Sequence, residues 1–550
     1  MRTAICDVNR NFSCWKLTEQ TYFARKSSGL VREFGTLDMV LIASAATASV
    51  LFTFLQFPWY YGFNPGADLN LGLVIAFFFY LLLSFVYWTI GVIMPRSGND
   101  YVWVSRTFHP AIGFSWAMVF MVSSFSTGYV GGLSSWVYAL GTALSMWGSL
   151  YNSQGLIGLA NWVSSPWGGF LFVIVLTIVF AVLTLVGSRA IKSFIYLTSI
   201  LSLVAIIIMW GILGTTSPAA FAAKWDMVLG HYTTYDNIVT LASNAGWSLT
   251  PITLAATMTS MPFVVLFLLG NNVTTVMAGE IKGFRKAIPI ALIASLILSV
   301  LLWMGCNTFT LGAVGAKWMY ALGYLWDNAP NSYNGVLPIA PTLPLMVSLI
   351  VYPNQFMIFV IYVTMLVGSI NAIFISFWLP SRYFFAWAFD RILPTKVADV
   401  NKRFRTPHIA IALITVLWIL IAILYWFTSF SIALSISTLL YNLCFAIVAL
   451  GCVIFPFTKK DLLAQAPAFL AKKIVGIPLI SIIGALCSAC FFWIGYISIM
   501  NPLIITPTTY GAIIAIGLIV GCLIIYYASL LYHKKRGLDI ALVFKEIPPD

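Results

Sequence analysis

The sequence predicts an all-α membrane protein with twelve transmembrane helices. Of its 550 residues, 61% are apolar and only 8% are charged, a balance that soluble globular chains of this length do not show. Apolar runs of about 20 residues recur with a helical period, whereas the strands of an outer-membrane barrel give alternating segments of about ten residues. We therefore expect the chain to cross a lipid bilayer repeatedly as helices.

Twelve apolar runs are long enough to be spans. They cover residues 37–57, 70–93, 111–140, 167–187, 191–213, 260–279, 287–312, 354–380, 408–426, 430–456, 475–499 and 508–531. Residues 1–36 form a polar, basic tail without an apolar stretch ahead of a small-residue cleavage site, so no signal peptide is predicted. Residues 532–550 form a second tail.

The net charge of +13 is explained by where the basic residues lie. Of the 29 Lys and Arg residues, 27 fall in the two tails or in connections that follow even-numbered spans. Lys224 and Lys317 alone fall on the opposite side. By the positive-inside rule, both termini are then cytoplasmic. We expect a multi-pass protein of the cell membrane whose surroundings are lipid, and no nucleic-acid partner.

Polar residues concentrate in the middle of two spans. The first span has the small-residue run ASAATAS at 43–49, and the sixth has GNNVTT at 270–275. Burying such groups in hydrocarbon costs a few kcal/mol each unless they find partners. At about 100° per residue, the two amides and two hydroxyls of GNNVTT fall within an arc of roughly 160°. They are expected to face a polar site inside the bundle, with close helix packing as the alternative.

The positions of these two spans predict an inverted repeat. Each begins a group of five helices, and an odd number starts the second group from the other side of the membrane. The ten-helix core would cover 37–456, with repeats at about 37–213 and 260–456. The helices within 475–531 would then be peripheral.

Three segments carry a family resemblance. They are MPRSGNDYVWVSRTFHPAIGF at 94–114, AGEIKGFRKAIP at 278–289, and PSR at 380–382 with AWAFDRILP at 386–394. They resemble, in order and spacing, segments of the amino acid permeases of the amino acid, polyamine and organocation transporter superfamily. The resemblance covers roughly residues 32–406.

This resemblance implies the leucine-transporter fold, in which the first and sixth helices are discontinuous and access alternates around a central site. Gly270 matches the glycine before the break in the sixth helix, and Asn272 stands where relatives vary their side chain. The first span departs from the family by lacking a glycine-rich break. The fifth span also lacks the central lysine of some proton-coupled relatives.

A substrate site is expected where the two breaks meet. Its predicted residues are Ser44, Ala46, Thr47, Gly270, Asn271, Asn272, Thr274 and Thr275. Because no charged residue lies at the predicted midplane, a neutral or zwitterionic amino acid is favoured over a polyamine. The alternatives are a permease for an amine or a nucleobase-like solute, and a transporter-like sensor or channel.

Gate residues are expected at both ends of this site. Asp38, Glu280 and Arg382 lie at the predicted cytoplasmic ends of the first, sixth and eighth spans, where an ion pair can close a wet pathway. The alternative is that they face solvent and lipid headgroups. Phe267, one turn before the break, would cap the site from outside or simply pack in the core.

Neither catalysis nor a resident cofactor is predicted. The four histidines are too scattered for a metal or haem site, and no phosphate-binding glycine loop is present. A coupling ion, H⁺ or Na⁺, remains open. Ser369 of the eighth span is the candidate Na⁺ ligand, with helix packing as the alternative.

Overall fold

Helices make up almost all of the structure. The computed structural model describes residues 32–47, 60–125, 127–337, 341–401, 403–404, 406–428, 436–464, 469–470, 472–500, 509–537 and 540–545. Among these residues, ten helices are long and apolar enough to cross a membrane: Leu69–Ile93, Pro110–Leu150, Pro166–Val186, Ser188–Gly214, Phe284–Val314, Gln355–Phe389, His408–Phe427, Ser437–Thr458, Leu479–Met500 and Ile513–Lys535. The chain is a multi-pass membrane protein.

These ten helices coincide with ten of the predicted spans, and the other two predicted spans contain shorter helices. The first span holds Thr36–Thr47, and its residues 48–57 lie outside the described part of the chain. The sixth span is divided into several pieces. The two spans predicted to be discontinuous are thus the two that contain no helix of membrane-crossing length among the described residues.

The sixth span is interrupted at its polar centre. It approaches as Leu254–Thr259, Met261–Val264 and the 3₁₀ turn Val265–Leu268, and continues as Val273–Val276 and the 3₁₀ turn Ala278–Glu280. Residues 269–272 between them are not helical. Gly270 has a φ of 103°, a conformation that costs glycine little and side chains much more. The glycine therefore allows the chain to turn within the membrane.

The third span is longer and less regular than predicted. It runs through Pro110–Phe120, the π-helical segments Met121–Phe125 and Thr127–Gly131, and Gly132–Leu150. At Gly128, an added Cβ would lie 2.6 Å from the Ser376 hydroxyl of the eighth span. The glycine is thus explained by close packing between helices.

The predicted start of the eleventh span is wrong by four residues. Lys473–Ile474 pairs antiparallel with Ile477–Pro478, and Val475 and Gly476 at the turn have φ values of 50° and 81°. The helix begins only at Leu479. Because Val475 and Ile477 are apolar, hydropathy did not distinguish this short hairpin from the start of the helix.

Shorter helices lie in the connections between spans and in the C-terminal tail. They are 60–63, Asn99–Thr107, Gln154–Ser164, Pro218–Leu229, Tyr235–Asn244, Ala316–Asn328, Pro330–Asn334, Leu343–Val351, Ser381–Phe389 (continuous with the eighth span), Thr395–Ala398, Lys460–Ala464 and Ile540–Lys545. Every residue of the helix Asn99–Thr107 is buried, including the charged residues Asp100 and Arg106.

Candidate functional site

The break in the sixth span touches the first span. A Cβ built on Gly270 would lie 3.0 Å from the Ala46 Cβ and 3.1 Å from the Ala46 carbonyl oxygen. Because the Cβ and the carbonyl group of Ala46 take this space, a side chain at position 270 fits only if one of the two segments shifts by a few tenths of an ångström. The structure thus brings together the two segments that the sequence predicted to meet.

Asn271 holds the break to its neighbours. Its Nδ2 donates to the Leu292 carbonyl oxygen at 2.8 Å and to Ser295 Oγ at 3.0 Å, and its Oδ1 accepts from Ser84 Oγ at 2.8 Å. The side chain is 1% exposed. Its polar atoms are engaged by the second and seventh spans, so Asn271 serves a positioning role, and contact with substrate stays a prediction.

Asn272 is different because its amide is not engaged. Asn272 Nδ2 is buried without a hydrogen-bond partner, and the same is true of the hydroxyls of Thr274 and Ser44. The Tyr87 hydroxyl lies close to Asn272 and forms no hydrogen bond of ordinary geometry. A buried polar group without a partner is costly, and these groups are the ones that a polar ligand would satisfy.

Two other predicted site residues have their hydroxyls occupied. Thr275 Oγ1 donates to the Asn272 carbonyl oxygen at 2.8 Å. Thr47 Oγ1 donates to the Ala43 carbonyl oxygen at 2.9 Å and shares a hydrogen bond with Ser299 Oγ of the seventh span. Their contact with substrate stays a prediction.

Phe267 packs in an aromatic cluster. Its ring lies 4.6 Å from that of Trp303, edge to face, and 6.0 Å from that of Phe263. The side chain is 1% exposed. Trp303 Nε1 in turn donates to the Thr47 carbonyl oxygen at 3.3 Å. Phe267 is thus packed in the core between the sixth and seventh spans, and a role as a cap stays a prediction.

At the opposite end, Glu280 and Arg382 form a buried, two-pronged ion pair. Arg382 Nε donates to Glu280 Oε1 and Arg382 Nη2 to Oε2, each at 2.9 Å. Both residues are at most 5% exposed. The Glu280 carbonyl oxygen also accepts from the backbone N–H of Glu33 and Phe34, at 3.0 and 3.2 Å. This end lies on the side of the membrane where the sequence places most of the Lys and Arg residues, which we call the basic side. We call the ion pair, together with residues 33–35 across it, the basic-side closure.

Asp38 takes part in a second, more exposed contact on the same side. Its Oδ2 lies 2.8 Å from Lys192 Nζ, with 12% and 29% of the two side chains exposed. Gly35 N–H donates to Oδ2 at 2.7 Å, and the Tyr196 hydroxyl donates to Oδ1 at 3.0 Å. The predicted gate residues Asp38, Glu280 and Arg382 thus all have partners within the protein.

A family model described as amino acid permease matches residues 34–524. The chain belongs to the amino acid permease family. The match reaches beyond the region of sequence resemblance, which ended near residue 406, into the eleventh and twelfth spans. The permease is therefore a member of a family of transporters of amino acids or related solutes, and not an enzyme. No curated protein matches the chain.

The permease has two further buried carboxyl groups on the basic side that the sequence interpretation missed. Asp390 pairs with Arg106 at 2.6 and 2.7 Å. Asp100 accepts from the Tyr383 hydroxyl at 2.8 Å on each oxygen. Both residues lie in segments that resemble the family, but spacing along the sequence does not predict which side chains pair across the bundle.

On the other side of the permease, a pocket of about 340 Å³, open solvent included, is lined by residues 61–62, 64–67, Trp247, Leu249, Thr250, Tyr320 and Tyr324. The rings of Tyr61 and Tyr320 lie 4.7 Å apart. Beside it, Asp327 Oδ2 is buried without a hydrogen-bond partner. The sequence interpretation did not identify this aromatic pocket, since its residues come from three separate connections.

The candidate Na⁺ ligand of the permease is buried in its own helix. Ser369 is 0% exposed, and its Oγ donates to the Leu366 carbonyl oxygen at 2.9 Å. The hydroxyl oxygen retains lone pairs, so a role as ligand stays a prediction. Within the described ranges, no group of three His, Cys, Asp or Glu side chains is placed to hold a metal ion.

Proposed function

We propose that the protein is a secondary active transporter of a neutral or zwitterionic amino acid that works by alternating access. The observation that carries the proposal is that the first and sixth spans, which meet at Gly270 and Ala46, both contain buried polar groups that are not engaged. Asn272 Nδ2 and the hydroxyls of Thr274 and Ser44 are buried without partners. The other predicted contacts, Ala46, Thr47, Gly270, Asn271 and Thr275, would shape the same site.

The charge of the central segments supports a substrate without net charge. Residues 39–47 and 253–279 contain no Asp, Glu, Lys or Arg. A polyamine would favour a carboxylate at this depth, whereas the two charges of a zwitterion can be met by backbone N–H and carbonyl groups freed at helix breaks. An amine or a nucleobase-like solute is the alternative within the same family.

Two hydrogen bonds support the inverted repeats at about 37–213 and 260–456. Thr47 of the first span bonds Ser299 of the seventh, and Asn271 of the sixth bonds Ser84 of the second. Exchanging the repeats maps the first span onto the sixth and the second onto the seventh. The two contacts are therefore counterparts, as expected when two similar units are related by a pseudo-two-fold axis.

Alternating access requires contacts that open. The basic-side closure would block the cytoplasmic end, because the charge distribution predicts that the tails 1–36 and 532–550 are in the cytoplasm of a cell-membrane protein. Opening would separate Glu280 from Arg382 and Asp38 from Lys192. Phe267 would cover the site from outside. The helices within 475–531 stay outside this mechanism.

A thermal-shift screen of the purified protein tests the proposal. Amino acids, amines and nucleobases would be compared with and without Na⁺ and across pH, since a ligand that binds the folded state stabilises it. We expect one class of amino acid to stabilise the protein. Accumulation of that solute against its gradient in proteoliposomes would separate a transporter from a channel or a sensor, which would give passive flux or none.

A further inference from the structure

Three buried carboxyl groups lie on the basic side, and only two of them have an arginine. Arg382 binds Glu280 and Arg106 binds Asp390. Asp100 is 0% exposed, and within the described chain no Lys, Arg or His forms an ion pair with it. An isolated buried carboxylate is expensive unless it is paired, so Asp100 is the exception that needs a physical account.

The hydrogen bonds to Asp100 come from neutral groups. The Tyr383 hydroxyl donates to both carboxyl oxygens at 2.8 Å, and Tyr101 N–H donates to Oδ1 at 2.9 Å. The other titratable side chains that face it are Tyr87 and Cys444. Phenol and thiol groups titrate ordinarily at about 10 and about 8.5, so none of them supplies a positive charge.

Among the other helices packed against Asn99–Thr107, Pro110–Phe120 and Val273–Val276 contain no ionisable residue. Ile540–Lys545 packs at the Arg106 end of the same helix, with Arg106 over the Phe544 ring, and Lys545 is its one charged residue. Burial raises the pKa of Asp100 to about 7, and the hydrogen bonds from Tyr383 and the backbone only partly oppose this rise. The carboxyl group is thus held in surroundings that favour its neutral form.

Asp100 is also connected to the basic-side closure and to the sixth span beside the candidate substrate site. Tyr383, its hydrogen-bond donor, directly follows Arg382 of the basic-side closure. Gly98 N–H donates to the Val276 carbonyl oxygen at 2.8 Å, which ties the start of the Asp100 helix to the sixth span. Tyr87 lies within electrostatic range of both Asp100 and Asn272. A change at Asp100 therefore bears on the closure and on the substrate site.

We propose that Asp100 is a proton-binding site of the permease, which carries a proton while the basic-side closure is shut and releases it when the closure opens. Opening admits water to the carboxyl group, which then ionises to a carboxylate and a proton that passes to the solvent. The proposal rests on the proposed function only in that the closure opens during transport.

The direction of the pH effect follows from linkage. Because the closed state binds the proton more tightly than a hydrated state does, the contribution of Asp100 to closure is fully present below about pH 4. It falls as pH rises from about 4 to about 7, where Asp100 titrates in the closed state, and is constant above that. Rising pH therefore favours opening, by at most about tenfold per pH unit for one proton.

Difference infrared spectroscopy tests the bound proton directly. The full-length protein in lipid nanodiscs would be titrated across neutral pH, and the C=O stretch of protonated carboxyl groups recorded. We expect a band that disappears as pH rises and that is missing in Asp100→Asn. Asp68→Asn is the control and should keep the band. Asp68 is a helix N-cap, a position where Asn is equally suitable. A titration identical in the original protein and in Asp100→Asn overturns the proposal.

Tyr383→Phe provides a second variant should Asp100→Asn fold poorly. It removes the hydroxyl that donates to Asp100, so the carboxylate loses stabilisation and the midpoint of the band should move to higher pH. An unmoved or lowered midpoint counts against the assignment of the band to Asp100.

Accessibility of the closure tests the functional consequence. Ala278 is 0% exposed beside Glu280, and Ala278→Cys would be placed in a chain whose Cys6 and Cys14 are replaced by Ser. The rate of maleimide labelling would be measured with Asp100 and with Asp100→Asn, and their ratio taken at each pH to cancel the titration of the thiol itself. The ratio should rise as pH increases from about 4 to about 7 and level off above that; a constant ratio overturns the link to opening.

These readouts are independent of the transported solute. A titrating Asp100 band in a protein that no amino acid stabilises would retain the proton site and reject the substrate. If an amino acid stabilises the protein but no titrating Asp100 band is found, the proposed substrate is retained and the proton site is rejected.

Discussion

Gly270 and Ala46 are in contact at the centre of the bundle, where the backbone of the first span fills the space that a side chain at position 270 would need. The separation from an added Cβ to the Ala46 Cβ is 3.0 Å, and the φ of Gly270 is 103°. Both the space and the backbone conformation at this position exclude larger residues. The contact fixes the relative position of the two segments that form the candidate site.

Gly270→Ala should therefore destabilise the protein and abolish ligand-induced stabilisation. The backbone strain alone is about 1–3 kcal/mol, and displacement of Ala46 adds to it. Gly211→Ala is the matched control, because a Cβ at Gly211 meets nothing within 4 Å and helix interiors favour Ala by roughly 0.5–1 kcal/mol. Melting temperatures in detergent measure both. Equal stability of the two variants would contradict the described contact.

Asn271→Ala should destabilise the protein more than Asn272→Ala does. The first change removes three hydrogen bonds and leaves the Ser84 hydroxyl without its acceptor, at about 1–3 kcal/mol for a buried group left unpaired, while Ser295 Oγ still donates to the Leu292 carbonyl oxygen. The second removes an Nδ2 without a partner. Thermal unfolding of the two variants checks the order, and the reverse order would contradict the assigned roles.

Breaking the Glu280–Arg382 pair should cost far more than breaking the Asp38–Lys192 pair. Removing one partner of a buried ion pair leaves a buried charge and costs about 3–5 kcal/mol, whereas a partly exposed pair contributes about 0–1 kcal/mol. We expect Arg382→Gln to be strongly destabilised, the double variant Glu280→Gln/Arg382→Gln to recover part of the loss, and Lys192→Gln to unfold near the original temperature.

A charge-swapped variant tests whether this ion pair acts as a gate. If the pair holds the pathway shut, charge-swapped Glu280→Arg/Arg382→Glu should transport with altered rates in both directions. Unchanged rates in both directions would argue for membrane-end charges without a gating role.

Asp327 should make stability depend on pH. Burial raises its pKa to about 8, since its Oδ2 is enclosed without a hydrogen-bond partner. Its contribution to stability is fully present below about pH 4 and is lost progressively as pH rises to about 8. Asp327→Asn should therefore become more stable than the original protein as pH rises through this window. Exposed Asp236→Asn is the control, and melting temperatures of the two variants that follow the same pH curve would contradict the prediction.

The sequence predicted most of the fold because hydropathy reports membrane spans directly. Ten predicted spans match long apolar helices, and the polar GNNVTT segment correctly marked the break in the sixth. The start of the eleventh span was wrong because Val475 and Ile477 are apolar but belong to a hairpin. Hydropathy does not distinguish a short strand at a span's end from the helix that follows it.

The site was less predictable because residue type does not give hydrogen-bond partners. Asn271 and Asn272 are adjacent and chemically identical, yet the first is fully engaged and the second has an amide without a partner. Asp100 and Asp390 lie in segments that resemble the family, but only packing across several helices decides that Asp390 meets Arg106 and Asp100 meets Tyr383. Only the three-dimensional structure shows which polar residues are hydrogen-bonded within the protein and which remain available to a ligand.

The most direct measurement of the central claim is amino acid binding to purified Asn272→Ala. The solute that most stabilises the original protein would be titrated against both proteins and against Gly211→Ala, with the ligand-induced change in melting temperature as the readout. Loss of the shift in Asn272→Ala alone, with its unliganded stability within about 1 kcal/mol of the original, is the result we predict. Unchanged binding of every transported solute by Asn272→Ala would contradict the assignment of the substrate site to the break in the sixth span.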